Sequence, residues 1–597
     1  MIMIYQNKDK YTFTELAALN FKIAPGYAGI MLLQNVIEGI LPSLLALAIS
    51  FFIDSFNANR GGRNFIKALL VVVCIMVMQH IVSALFSFAH RGLRTALQRV
   101  SDYEGIERIA SLEYLYIEER EKYENTSRVT GGMANYIFSS YQIILTTISL
   151  ITRVISLAVI FFRYNVWWVG IVIVLFAVPV FVLSYGCGEK VYKFYKNQYS
   201  HSLQMNHQTY ILKSRETVLE RTLFEYSDQI GENWGRLRND YFKKQLALHL
   251  HAERELKISS ISSCILLGLL IVPIIAAYFE KAITVGLLMT MVGNLVDLNS
   301  CMNQALSPMA SKVSEVKGFL RDLNRFLKYS FEPEYLAVPS DSKVNFKSLE
   351  FEDVTFCYPN SDRKVLNHLS FQIKDGNSYA FVGKNGSGKS TIIKLILGLY
   401  QNYDGRILLN GGDIKEYSAS ELKSIFGVMF QDYAKYQISL KENIELGTIY
   451  NREEISRRRD EALKKMKMGD LLRRLPGGLK TNLGKLDASG QDVSGGEWQR
   501  IAIARLLTSE KQVYILDEPT SSIDPLLEGC IFDWFSNAGT NTAASVVISH
   551  RLGITRTVDK VFVVDQGKIV EQGTYMELMR NRKLFYDMYT KQQGRFV

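Results

Sequence analysis

Apolar positions are distributed unevenly along this chain of 597 residues. Up to about residue 300 they form long, nearly uninterrupted runs. Beyond about residue 345 they form short, strand-length runs separated by glycines and charged residues. A helix that crosses a bilayer needs about 20 consecutive apolar residues. Six stretches qualify: 23–53, 65–89, 136–162, 166–185, 258–279 and 282–300. Arg163-Tyr164-Asn165 joins the third to the fourth and Glu280-Lys281 joins the fifth to the sixth, so each pair reads as a tight helical hairpin. Pro42, Pro179 and Pro273 fall inside these runs and predict kinks, because each removes a backbone hydrogen bond. Ahead of them, Lys8–Asn20 is polar and amphipathic and reads as a helix on the inner membrane surface. It lacks the short apolar core and small-residue cleavage site of a secretory signal.

The intervals between spans set the orientation. The long intervals 91–132 and 187–257 hold seven and twelve Lys or Arg residues. The three short loops hold four: Arg60, Arg63, Arg163 and Lys281. Cations gather on the cytoplasmic side, so the N-terminus, the long intervals and the C-terminal half are expected in the cytoplasm of a multi-pass plasma-membrane protein. The net charge of +10 is explained by that topology. No basic stretch with interleaved aromatics marks a nucleic-acid surface. Six scattered cysteines, with no C-x-x-C pair, indicate neither a zinc site nor a disulfide framework. Ionisable residues inside spans are costly and face a bundle interior. Glu38, Arg153 and Asp297 therefore line a polar cavity or form internal pairs, such as Glu38 with Arg153, with Asn35, Gln79, His80 and Asn294 as companions.

The C-terminal half carries the chemistry. Gly383-Lys384-Asn385-Gly386-Ser387-Gly388-Lys389-Ser390 is a complete G-x-x-x-x-G-K-[ST] phosphate loop between an apolar strand and a helix that continues through Thr391. Backbone N–H groups at such a helix start suit phosphate oxygens. Lys389 suits the β- and γ-phosphates of ATP, and the Ser390 hydroxyl suits Mg²⁺. Farther on come Val493-Ser494-Gly495-Gly496-Glu497 and the apolar strand Val513-Tyr514-Ile515-Leu516-Asp517-Glu518.

Phosphate loop, S-G-G-E and strand-Asp-Glu in that order resemble the ATP-binding cassette of ABC transporters. With the six spans, the whole chain resembles an exporter-type half-transporter. The resemblance implies an N-terminal all-α six-helix transmembrane bundle with long cytoplasmic helix extensions and a C-terminal α/β P-loop ATP-binding cassette. It divides the chain into an interfacial helix (1–22), a transmembrane domain (23–328), a linker (329–347) and the cassette (348–597). It implies that Tyr358 stacks on adenine, that Gln431 and Asp517 reach Mg²⁺, that Glu518 is the general base and that His550 contacts the γ-phosphate. Ser494, Gly495, Gly496 and Glu497 would meet ATP held by a second cassette, with Asp524 in the loop through which the cassettes sense each other. The usual form is L-S-G-G-Q, so Val493 and Glu497 depart from it.

The same resemblance implies short coupling helices near Tyr114–Glu124 and Asn206–Leu219. It also implies a partner half-transporter, with an identical chain expected and a different one the alternative. Every catalytic position is filled, which argues against a degenerate subunit. No cysteine peptidase precedes the spans. The stretches Gly495–Arg500 and Phe430–Tyr433 look like those of bacterial lantibiotic and bacteriocin exporters. Peptide export by alternating access is therefore expected, with lipid or drug export as the alternative and an ATP-gated channel as the other class.

Overall fold

The computed structural model describes residues 10–57, 62–163, 189–190, 192–198, 201–214, 217–280, 283–301, 307–329, 344–359, 361–446, 452–509, 511–519, 529 and 544–593. The chain folds as two compact units. One is Met1–Ile109 with Arg120–Tyr329; the other is Ala110–Glu119 with Ser330–Val597.

The described part of the first unit is helical. Its first helix, Phe13–Ile23, starts later than Lys8 because Thr12 caps it. The Glu15 N–H donates to the Thr12 hydroxyl, and the Glu15 carboxylate accepts from the Thr12 N–H at 2.9 Å. This capping box satisfies two otherwise orphaned donors. Leu16, Ala17, Leu19 and Asn20 are buried. The helix packs against Arg120–Arg163, where Asn20 donates to the Ile137 carbonyl at 2.9 Å.

Five of the six expected spans fall on helices: Pro25–Asn57, Gly62–Ala110, Arg120–Arg163, Ser227–Phe279 and Val285–Cys301. The fourth, 166–185, lies outside the described residues, as does Pro179. Three of these helices are long and apolar enough to cross a membrane, and Leu267–Phe279 and Val285–Asp297 are shorter apolar segments. Several run well past the apolar stretch. Gly62–Ala110 has 49 residues and Ser227–Phe279 has 53, about 74 and 80 Å at 1.5 Å per residue.

The two short helices differ from expectation. The first spans only Tyr114–Glu118, because Glu119 is extended and Arg120 opens a new helix. This segment belongs to the second unit, although helices of the first unit flank it in sequence. The second is Val218–Phe224, ended by Glu225 in the left-handed region. Asn206–Lys213 falls instead within the helical stretch 201–213.

The second unit holds two sheets. An antiparallel sheet has the order β2-β1-β4-β5, with β1 Ser348–Cys357, β2 Lys364–Lys374, β4 Asp404–Leu409 and β5 Gly412–Asp413. The second sheet has the order β10-β9-β3-β8-β7-β6. Its strands are β3 Ser378–Val382, β6 Phe426–Met429, β7 Val513–Asp517, β8 Ala544–Ile548, β9 Lys560–Asp565 and β10 Lys568–Gly573. All its pairings are parallel except β10 with β9. Strands β3, β7 and β8 are buried at every position, as expected for a parallel sheet covered on both faces.

Alternate residues feed two cores. Ala380, Leu516 and Val547 join the helix Gly495–Thr508. Phe381, Ile515 and Val546 join the antiparallel sheet and the phosphate-loop helix Lys389–Ile396. The cassette's order begins before residue 348: Phe346 is buried, and Gln512 donates to the Val344 carbonyl at 2.8 Å.

Candidate active site and transmembrane cavity

The carboxyl ends of β3, β6, β7 and β8 converge, the usual place for a ligand on an open parallel sheet. From β3 the chain turns through Gly383–Gly388. Gly388 has φ +102 and caps the helix starting at Lys389; a Cβ there would lie 2.7 Å from Leu366. Only glycine fits such a position. Lys389 is buried, and its ammonium donates to the carbonyls of Gly383 (3.0 Å) and Lys384 (2.8 Å). Burial pushes its pKa below the ordinary value, while the Glu518 and Asp517 carboxylates act the other way.

Glu518 leaves β7 with φ 52, a left-handed conformation rare outside glycine. Its N–H donates to the Ile548 carbonyl on β8 at 2.9 Å. That turn aims its carboxylate between two side chains. Gln431 Nε2 donates to one oxygen at 2.9 Å, and His550 Nε2 lies 2.7 Å from the other. Burial, and then the Lys389 ammonium, lower the His550 pKa against the pull of Glu518. A neutral imidazole donating from Nε2 suits a carboxylate that only accepts. Asp517 is buried, with Oδ1 orphaned, and burial raises its pKa while a hydrogen bond from Ser390 lowers it.

Ser494, Gly495, Gly496 and Glu497 form a second cluster at the start of the helix Gly495–Thr508. Ser494 is its N-cap. The Glu497 N–H donates to the Ser494 hydroxyl at 3.3 Å, and the Glu497 carboxylate accepts from the Ser494 N–H at 2.7 Å. Arg474 Nη2 lies 2.8 Å from both Glu497 oxygens. Tyr433 donates to the Gly495 carbonyl at 3.1 Å. Tyr358 is half-buried beside the phosphate-loop helix, its hydroxyl 2.9 Å from Thr391 Oγ1. Asp524 lies outside the described residues.

Sequence reasoning missed two residues of these clusters. Arg474 stands far upstream of Glu497 with no pattern linking them. Gln499, which donates to the Glu518 carbonyl at 3.4 Å, sits one turn into the signature helix, where only its spacing from Ser494 marks it.

In the helical unit, Glu38, Gln79, His80, Arg153, Asn294 and Asp297 line one cavity of about 870 Å³. Arg153 pairs with Asp297 rather than with Glu38; Glu38 accepts from Gln34 at 2.7 Å. The alternatives of a polar cavity and an internal ion pair thus coexist, because Arg153 and Asp297 pair with each other and both line the cavity.

A P-loop sheet with this cluster, fused to apolar helices of spanning length, defines a membrane-bound nucleotide-binding protein. A model of the ABC transporter family matches residues 366–521. The chain is 27% identical to the subtilin transport ATP-binding protein SpaT of Bacillus subtilis, over 93% of this chain and 90% of the relative. It is 26% identical to the nisin transport ATP-binding protein NisT of Lactococcus lactis subsp. lactis, over 98% and 96%. Its fold is that of a bacterial Atm1-family ABC exporter with ATP bound: TM-score 0.77, 22% identity, 94% of this chain and 99% of that one.

The chain carries an ABC transporter domain over residues 366–521, and over nearly its whole length it is similar to exporter-type half-transporters. It is a multi-pass plasma-membrane protein with an ATP-binding domain of the kind that couples an ATPase to transport.

Proposed function

We propose that two copies of this chain hydrolyse ATP to export a peptide. The observation that carries the ATPase is the Glu518 carboxylate held between Gln431 and His550 beside the phosphate loop. Gly383–Gly388, Lys389, Ser390 and Thr391 bind the triphosphate, and Tyr358 stacks on adenine. Glu518 takes a proton from the attacking water. Gln431 orients that water, and His550 holds the γ-phosphate end. Ser494, Gly495 and Gly496 present a helix start to ATP on the other cassette, where backbone N–H groups favour phosphate.

The donor set fits Mg²⁺: a buried, orphaned Asp517 oxygen next to the Ser390 hydroxyl, with Gln431 as the third polar side chain. Among the described residues no three His, Cys, Asp or Glu side chains converge on a metal, which suits an ion completed by phosphates and water. When bound, the ion would neutralise charge on the β- and γ-phosphates.

Alternating access follows from two nucleotides closing two cassettes and hydrolysis releasing them. The domain division 1–22, 23–328, 329–347 and 348–597 serves that cycle. The peptide reading rests on the near-full-length likeness to proteins named for subtilin and nisin transport. It also fits a polar cavity large enough for several side chains.

Glu518→Gln should retain ATP binding and slow turnover about 10²–10⁴-fold, the usual worth of a positioned base. Near-normal ATPase in that variant would remove Glu518 from the role. Stimulation of the wild-type ATPase in proteoliposomes by peptides, but not by lipids or dyes, tests the substrate. The reverse pattern would favour lipid or drug export.

A further inference from the structure

One ammonium group in the ATPase unit is shared by three tyrosines from separate parts of the chain. Lys394 lies three residues after Thr391 on the phosphate-loop helix, on the same face. Its Nζ is 5.2 Å from the ring centre of Tyr358, 5.6 Å from that of Tyr114 and 5.8 Å from that of Tyr400. All three fall within the range at which a cation is drawn to an aromatic face. The rings also meet one another edge to face. Tyr358 and Tyr400 are 5.6 Å apart at 83°, and Tyr114 and Tyr400 are 5.8 Å apart at 87°. Tyr400 is buried, at 2% exposure, so the cluster has a fixed centre. The same Nζ is 3.5 Å from Glu118 Oε1.

Two of these residues, Tyr114 and Glu118, belong to the short helix Tyr114–Glu118, whose flanks in sequence are membrane helices. Leu115 of that helix packs on the same core. A third, Tyr358, is the residue proposed above to stack on adenine, and its hydroxyl is 2.9 Å from Thr391. The aromatic wall of the nucleotide site and the transverse helix therefore touch one buried tyrosine and one ammonium.

We propose that Lys394 is a positioning residue that makes the transverse helix respond to the nucleotide base and not only to its phosphates. The proposal rests on the adenine role of Tyr358. A base stacked on Tyr358 fixes that ring, and with it the edge the ring presents to Tyr400. A point charge on a flexible stem settles where its summed attraction is greatest. Fixing one of three rings therefore shifts the ammonium's balance between Tyr358 on one side and Tyr114 with Glu118 on the other. The linkage is reciprocal: a docked transverse helix holds Lys394 and Tyr400 in place, and so favours the Tyr358 rotamer that accepts a base. A triphosphate without a base would fill the phosphate loop and leave this cluster untouched. If Lys394 were only packing, the helix would respond to both nucleotides alike.

The test uses the full chain in nanodiscs with ATP and with ribose 5-triphosphate, which lacks the base. Hydrogen exchange is followed in residues 110–119, together with the KM for each nucleotide. ATP should protect 110–119 more than ribose 5-triphosphate does. Lys394→Met and Glu118→Gln should each shrink that excess about two- to fivefold, the scale of one cation–π contact for the first and of one partly exposed ion pair for the second. Both should leave the KM for ribose 5-triphosphate unchanged. Glu118→Gln alters a half-exposed side chain, so it keeps the test open if Lys394→Met folds poorly. Tyr358→Ala should raise the KM for ATP towards that for ribose 5-triphosphate. An unchanged KM for ATP in Tyr358→Ala would remove the adenine role itself. A raised KM in Tyr358→Ala, with full excess protection kept in both other variants, would overturn the role of Lys394 and leave the adenine role standing.

Discussion

Two arginine–carboxylate pairs show how differently the two units handle charge. In the helical unit Arg153 pairs with Asp297 on the wall of a cavity among apolar helices. In the cassette Arg474 pairs with Glu497 at the start of a helix, with the arginine side chain 58% exposed. The first pair sits on helices whose outer surface is apolar. Arg153 is 13% exposed and Asp297 52%, so the arginine depends on its partner while the carboxylate also faces the cavity. The second pair has water on the arginine side. Its carboxylate is held as much by the Ser494 N–H as by the guanidinium. The same two side-chain types thus act as an electrostatic necessity in one unit and as a helix-capping device in the other.

Breaking the membrane pair should have the larger effect. Asp297→Ala leaves Arg153 uncompensated and should cost about 2–3 kcal/mol, read as a drop in apparent melting temperature in nanodiscs. Arg153→Leu with Asp297→Leu should recover most of that loss. If the single variant is as stable as the wild type, Arg153 is solvated from the cavity and the contrast between units dissolves.

The cassette pair should yield less. Glu497→Ala removes the capping box and should cost about 1 kcal/mol locally. That is roughly a fivefold loss of hydrogen-exchange protection over the first turn of Gly495–Thr508. Glu497→Gln keeps the capping geometry and should lose only part of it. Equal losses in the two variants would show that the charge, not the cap, holds this helix start.

The smallest effect is a pH limb. Burial pushes the Glu497 carboxyl up, but hydrogen bonds from Arg474 and Ser494 outweigh it, and the pKa lies below the ordinary 4.5. A depressed folded pKa means that the carboxylate's stabilisation is complete above 4.5 and is lost as pH falls through the folded value. Protection of the first turn should therefore be flat from neutral pH down to about 5 and decline below it. Glu497→Gln should lack that decline. A decline of equal size in Glu497→Gln would assign it to another group.

Much of this molecule was legible in one dimension because its signals are local. Phosphate loop, strand-Asp-Glu and apolar runs each depend on residues adjacent in sequence. A run of about 20 apolar residues has few fates other than a membrane, and a G-x-x-x-x-G-K-S turn has few uses other than phosphate. The helix start at Ser494 is local too, since capping needs only a residue and its third neighbour, whereas a first helix read from Lys8 passes over its cap at Thr12.

What sequence could not provide is which distant groups meet. Arg153 finds Asp297 instead of Glu38 because helix rotation within the bundle, not spacing along the chain, selects the partner. Glu497 finds Arg474 through the packing of two cassette helices. The strained turn at Glu518 exists because β7 and β8 pair in a register that offers the Ile548 carbonyl to its N–H. The short helix at Tyr114 joins the ATPase unit because Tyr400, Lys394 and the core beneath them hold it there. A contact across nearly three hundred residues is decided by the energy of the packed whole, and no window along the chain contains it.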